Sequence, residues 1–471
     1  MPGQFIDWTE EHSFDGTFYL PGTPERRTQG RLRLKAGNWP VLDTFDVLIH
    51  GGPEKAESVH GLTREGELTL IGCVVVRADT FAEPGFRGQS IVCDAVLFDD
   101  HVSPSALLRR LVLRFTNLQR LVPSKLWESN KTTTPGGSNA RLTYHFQTSR
   151  HLASAEHGGT RVDVFVYAPV EQSFGGLGNH LTVKPQVDVI VEFPSQVSLV
   201  DAKQFWTDLA LLWSLLTGTR SDVVAALASQ HAPDLQEPRH AHHDFEASLV
   251  GSVRSDAATR QSFGDFFYDL TAGSYPTDLS NVLAVWLGRR DSLRVAAKLL
   301  VDTWDRDLSW EAKLGIVAQA LEAFHRSSTH PQTFVPDADY AQVQSGLVGQ
   351  VNGLTRVDGL RTSLKKRVEF GNQVSLRRRT RDLMRGMPPA LRDAFGKWQG
   401  VVDEMVDARN ALIHRDPTSP VPPFREIVRV TGHFGLTLHS ALLQAIGVPD
   451  AAIANRLQMQ PPYQEWLSYR R

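Results

Sequence analysis

The run WQGVVDEMVDARNALIHRDP, residues 398–417, is the stretch on which the fold of the C-terminal half turns. At about 100° per residue an α-helix would bring Asp403, Asp407, Asn410 and His414 within roughly 60° of one another. They would form a polar stripe, while Trp398, Val401, Val402, Met405, Ala408 and Leu412 fill the opposite face and predict a buried side. Arg409 is the exception, because on an ideal helix it falls beside the apolar face, roughly 140° from His414. A buried guanidinium without a partner is costly. Three arrangements stay open: the helix distorts near Asn410, Arg409 points at a second helix or subunit, or Arg409 pairs with Asp403 or another acidic neighbour. In the last case Asn410 caps a turn and His414 is an ordinary surface residue.

Immediately upstream, residues 356–385 carry ten basic and three acidic residues, in a chain whose formal net charge is -2. The positive charge is therefore local, with no whole-molecule field to attract a polyanion. If 375–384 is helical, Arg377, Arg381 and Arg385 fall at i, i+4 and i+8 on one face, with Arg378 beside them. Such a row can follow a phosphate backbone, which makes these four candidate nucleic-acid contacts. The alternative is a solvated helix face or an ion-paired interface. Further helices are expected at 320–326, ALEAFHR, and 424–446. Glu322 and His325 share one face of the former, as a satisfied polar pair or as part of a cleft.

The N-terminal part reads differently. Short apolar or alternating runs at 30–34, 45–49, 67–77, 90–98, 111–115, 142–146, 161–167 and 187–193, broken by Gly, Pro and Asp, predict strands. The stretches 129–139, SNKTTTPGGSN, and 173–179, SFGGLGN, read as loops by composition. After Pro194 the period changes: 202–216 is apolar at spacings of three and four, and helical patterns dominate to the end. The polar stretch 234–246 reads as an exposed link. The expected organisation is thus α+β and multidomain, with a β-rich domain over 1–195, a helical middle segment and linker over 196–276, and an all-α bundle over 277–471. A chain of 471 residues is long enough for two or three cores.

The N-terminus has no basic start or apolar stretch of a signal peptide, and no segment offers about 20 apolar residues to span a bilayer. A cytoplasmic protein without membrane contact is expected. Cys73 and Cys93 sit inside apolar strand-like runs, as buried free thiols. His240, His242 and His243 form the densest histidine cluster, but no CxxC or spaced ligand set accompanies them, so neither a metal nor another cofactor is expected.

The run RNALIH, 409–414, resembles the R-x4-H pattern, with a polar residue directly after the arginine, of the HEPN superfamily of helical ribonucleases. ALEAFHR resembles the early helix of the ApeA-like HEPN branch. The early Trp8, Phe14 and Gly16, and VHGLTREGELTLIGC at 59–73, resemble the ApeA N-terminal domain. The resemblance implies a bacterial anti-phage factor of the abortive-infection type that cleaves RNA, with transfer RNA as target and a phage-encoded protein as a possible trigger.

Metal-independent RNA cleavage needs a base for the 2′-OH, an acid for the 5′-oxygen and positive charge at the phosphorane between them. A histidine titrating near neutral pH serves one proton transfer and an arginine supplies fixed charge and a fork of donors. His414 and Arg409 fit these roles, with Asn410 orienting histidine or phosphate. One copy is short of an acid–base group, and the resemblance implies a homodimer with both motifs at a shared cleft, yielding a 2′,3′-cyclic phosphate. The alternative function is a non-catalytic module that binds RNA or nucleotide and recruits a partner.

Overall fold

The computed structural model describes residues 11–35, 38–50, 55–79, 88–98, 101–103, 105–116, 118, 127–133, 140–146, 149–167, 170–175, 178–183, 186–229, 247–250, 279–304, 308–328, 331–354, 357–414 and 422–459. The chain divides into two compact units, 1–288 and 289–471.

Period-two alternation builds the first unit. In RTQGRLRL, Thr28, Gly30, Leu32 and Leu34 are buried while Arg31 and Arg33 face outward, where they pair with Asp15 and Asp43 at 2.6 and 2.5 Å. This strand, β2 (Arg27–Leu34), lies between β1 (His12–Tyr19) and β3 (Val41–Thr44). With β4 (Lys55–Thr63), β5 (Glu67–Asp79) and β6 (Gly88–Val92) the antiparallel order is β5-β4-β1-β2-β3-β6, and β6 pairs back onto β5. Six strands thereby close into a barrel, which leaves none of them with a free edge. Phe18, Leu32, Leu42, Val59, Leu68, Leu70 and Ile91 are fully buried. Gly61 is fixed by this core, since a Cβ there would come within 2.7 Å of the Phe18 ring and of Leu68. Cys73 and Cys93 are free and buried, their sulfurs 3.6 Å apart. The hydrogen bond with Cys73, and then burial, push the Cys93 thiol up.

The sheet continues from the barrel. The further elements are β7 (Ala95–Phe98), β8 (Leu107–Phe115), the hairpin β9 (Trp127–Thr133) and β10 (Ala140–Phe146), β11 (Ser149–His157), β12 (Thr160–Tyr167), the hairpin β13 (Val170–Gly175) and β14 (Gly178–Val183), β15 (Gln186–Ser198), α1 (Leu199–Thr217), β16 (Val223–Ser229) and β17 (Ala247–Val250). From β5 the order runs β7-β17-β16-β8-β15-β12-β11, antiparallel throughout. Helix α1 contacts β8, β15 and β16 and buries Phe205, Trp206, Leu209, Leu212 and Trp213. Its start is set by Ser198, whose side chain accepts from Asp201 N at 3.1 Å, and its end by Gly218 in the left-handed region (φ 70°).

Three local expectations give way here. Residues 45–49 are not a strand: the ladder is β3, just before them, and the buried Gln89 side chain takes its place. Its Oε1 accepts from Leu48 N and Ile49 N at 2.9 and 3.0 Å and its Nε2 donates to Ile49 O at 2.9 Å, so the backbone is satisfied without pairing. The stretches 129–139 and 173–179 contain strand residues of the two hairpins, because cross-strand pairing overrides a polar, Gly-rich composition. Residues 223–229, VVAALAS, within the segment expected to be helical, form β16 in the main sheet. A seven-residue apolar run carries no period that separates strand from helix.

In the second unit, amphipathic helices predominate. After α2 (Leu279–Asp302) come α3 (Trp310–Ser327), α4 (Asp337–Leu354), α5 (Asp358–Glu369), α6 (Leu376–Gly386), the short α7 (Pro389–Ala394), α8 (Trp398–His414), α9 (Phe424–Ala445) and α10 (Asp450–Met459). Helices α3, α6, α8 and α9 pack on one another around Leu314, Leu321, Met384, Val402, Met405, Phe434 and Leu438, all essentially buried. Helices α4 and α5 pack together as a hairpin.

Candidate active site

Helix α8 runs unbroken through RNALIH, so the arginine is not displaced by a distortion. Its apolar face is set by Val402, Met405, Val406 and Ala408, each less than a tenth exposed, while Trp398, Val401 and Leu412 are half-buried. Glu404 on the other side binds Arg429 of α9 at 2.6 Å.

Arg409 is half-buried and turns sideways along the helix: its Nη1 donates to Asn410 Oδ1 at 3.0 Å. Its Nε is buried without a hydrogen-bond partner, and among the described residues no carboxylate pairs with the guanidinium. Because arginine has only donors, the Asn410 oxygen must face it, which turns the amide NH2 outward. The pair therefore offers several donors, a constellation suited to an anion with several acceptor oxygens. His414 closes α8 one helical turn beyond Asn410; its side chain lies outside the described residues.

The aspartates of the stripe are occupied. Asp403 binds Arg381 at 2.8 Å and Arg377 at 3.2 Å, and Asp407 binds Arg377 at 2.7 Å. Asp382 binds Arg378 at 3.0 Å and Arg385 at 3.1 Å. All four arginines expected to hold RNA are thus ion-paired, two of them across the α6–α8 contact. Arg409 makes no ion pair with Asp403, whose partners are Arg377 and Arg381.

Sequence reading passed over the fifth arginine of that run. Arg379 is buried, and its Nη1 donates to His325 Nδ1 at 2.9 Å and to Gln332 Oε1 at 2.6 Å while its Nε donates to Val374 O at 2.9 Å. Burial first, then Arg326, pulls its guanidinium below the ordinary arginine value, with Glu322 acting in the opposite sense. Since Nδ1 accepts, the neutral His325 ring carries its proton on Nε2, which faces Asp382 Oδ2 at 3.6 Å. Glu322 instead approaches Arg326 at 3.7 Å. His325 and Arg379 are a structural pair joining α3 to α6; only the helical phase of position 379 within RRRTR hinted at it.

Family profiles match both halves: ApeA N-terminal domain 1 over residues 13–224, from β1 into β16, and Apea-like HEPN over residues 316–452, from α3 into α10. The chain has the two-domain ApeA architecture. This is the layout of an anti-phage defence protein with a HEPN domain, and HEPN domains generally bind RNA. No curated protein and no solved structure matches the chain. Within the HEPN domain, RNALIH occupies the end of α8. Among the described residues no group of three or more His, Cys, Asp or Glu is placed to hold a metal, and no helix is long and apolar enough to cross a membrane. His240, His242 and His243 lie outside the described residues.

Proposed function

We propose that the HEPN domain is an endoribonuclease whose chemistry is metal-independent and carried by Arg409, Asn410 and His414, with transfer RNA as substrate. The observation that supports this most is the Arg409–Asn410 pair, which presents several hydrogen-bond donors and has no carboxylate partner among the described residues, one turn from a histidine. Arg409 would hold the scissile phosphate and the charge that builds on it, and Asn410 would orient a phosphate oxygen or the ring of His414. His414 would move a proton at the 2′-oxygen or the 5′-oxygen. Attack of the 2′-oxygen on phosphorus expels the 5′-oxygen, leaving a 2′,3′-cyclic phosphate and a 5′-OH.

One histidine supplies one of the two proton transfers. A homodimer, with a second RNALIH at the same cleft, supplies the other, and the ApeA N-terminal domain serves as sensor of a phage-encoded trigger. Arg377, Arg378, Arg381 and Arg385 would contact RNA only by exchanging their aspartates for phosphates.

Inducible expression of wild type, Arg409→Ala and His414→Ala, followed by sequencing of RNA 5′ ends after phage challenge, tests this. Wild type should generate new 5′-OH ends, and each variant should lower them by about a hundredfold or more, the usual weight of one acid–base group for His414 and of one charge-stabilising donor for Arg409. Equal cleavage by His414→Ala and wild type would remove the proposal. A variant that alters RNA affinity alone would favour a non-catalytic RNA-binding module.

A further inference from the structure

The basic segment 356–385 divides in the structure into two parts with different roles. The arginines of α6 are consumed by aspartates or buried, as described above. On α5 Arg361 pairs with Asp358, whereas Lys365, Lys366 and Arg367 have no ion-pair partner among the described residues. Helix α5 buries none of its residues, and of the described residues of α4 only Val351 is buried.

The hairpin they form is nevertheless firmly rooted. At its base Phe334 N donates to Asn372 O at 2.9 Å and Val374 N to Gln332 O at 3.1 Å. The buried Asn372 side chain bonds Val335 N and O at 3.1 and 2.9 Å. Gln332 and the carbonyl of Val374 are in turn held by Arg379. The exposed cations thus stand on a base clamped to the bundle by Arg379.

Lys366 and Arg367 precede Phe370 by four and three residues, so all three lie on one side of the end of α5. Phe370 is 57% exposed and Phe334, at the same base, 60% exposed. Cations in a last helical turn suit its negative end, but that does not require aromatic rings left in water beside them. Two unpaired cations next to an exposed ring are instead the combination that binds single-stranded nucleic acid, cations on phosphates and ring against a base.

We propose that the Lys366–Arg367–Phe370 face of this hairpin binds a single-stranded segment of RNA, with phosphates on the two cations, one base on Phe370 and Phe334 as a second stacking platform. This rests on RNA being the substrate of the HEPN domain, and it moves the main phosphate contact from α6 to α5.

The test uses the full chain in a His414→Ala background, with a fluorescein-labelled 20-nucleotide single-stranded RNA followed by anisotropy over a series of salt concentrations. The double variant Lys366→Gln/Arg367→Gln should bind about tenfold or more weakly, with a plot of log affinity against log salt shallower by about 1.4, the loss of two single-strand phosphate contacts. Phe370→Ala should weaken binding by about tenfold, with the salt slope kept. All three side chains are exposed, and circular dichroism checks that the fold is retained. If the background protein binds RNA and the variants match it in affinity and slope, the hairpin proposal falls while the nuclease reading stands. Loss of binding in the variants, with cellular cleavage unaffected by His414→Ala, would overturn the nuclease reading and leave the hairpin site in place. RNA binding by none of these proteins overturns the hairpin proposal and leaves the nuclease reading to the cleavage experiment. Unchanged RNA affinity with a smaller species in sedimentation would assign the face to protein contact and overturn the proposal.

Discussion

Arg379 and Arg409 stand 30 residues apart in the sequence with the same charge and opposite circumstances. Arg379 is buried with three acceptors around it; Arg409 is half-buried, and among the described residues its partner is Asn410. The first is a structural residue and the second has donors left over for a ligand. Arg379→Met should therefore cost about 3 kcal/mol, because His325 Nδ1, Gln332 Oε1 and Val374 O lose their donor in a dry site. Chemical denaturation measures it, and a change below half a kcal/mol would mean that water replaces the guanidinium easily. The sequence showed that Arg409 did not fit its helix face, since periodicity alone places it. It could not show that Arg379 is the buried member of RRRTR, because that depends on where α3 lies.

At the level of elements, the helices carrying the site were readable because burial of one face imposes a 3.6-residue period over many residues. Helices α6 (376–386) and α9 (424–445) fall close to the expected 375–384 and 424–446, and α8 begins at Trp398 and ends at His414 within the run that periodicity marked. Strands were less legible. The run 45–49 alternates like a strand yet receives its hydrogen bonds from Gln89, and 223–229 is apolar like a helix yet completes the sheet. Gln89→Ala should lower stability by about 3 kcal/mol, as the backbone groups at 48 and 49 lose their partners inside the barrel domain. Thermal unfolding followed by circular dichroism reads this, and an unchanged midpoint would mean that the segment is held by the packing of Leu48 and Ile49 alone. The charge run at 356–385 was legible as charge, but its division between the ion-paired arginines of α6 and Lys365, Lys366 and Arg367 of α5, which have no ion-pair partner among the described residues, was not, since the aspartates that neutralise α6 come from α6 itself and from α8.

For the whole molecule, one histidine per RNALIH supplies one of the two proton transfers, so on the proposed mechanism catalysis should involve two copies. Co-expression of excess His414→Ala with a fixed amount of wild type should then suppress phage-induced RNA cleavage, because mixed dimers hold one histidine where two are needed. Undiminished cleavage would mean that a single copy is sufficient. What the sequence by itself determined is the order of a β-rich and a helical half, the amphipathic phase of α8 and the identity of the RNALIH residues, for these follow from local periodicity and residue chemistry. Only the tertiary structure decided which strands close the barrel, which arginines are neutralised, and which cations remain available on α5. Each of those depends on contacts between residues far apart in the chain, and neither charge pairing nor burial can be assigned until their partners are in place.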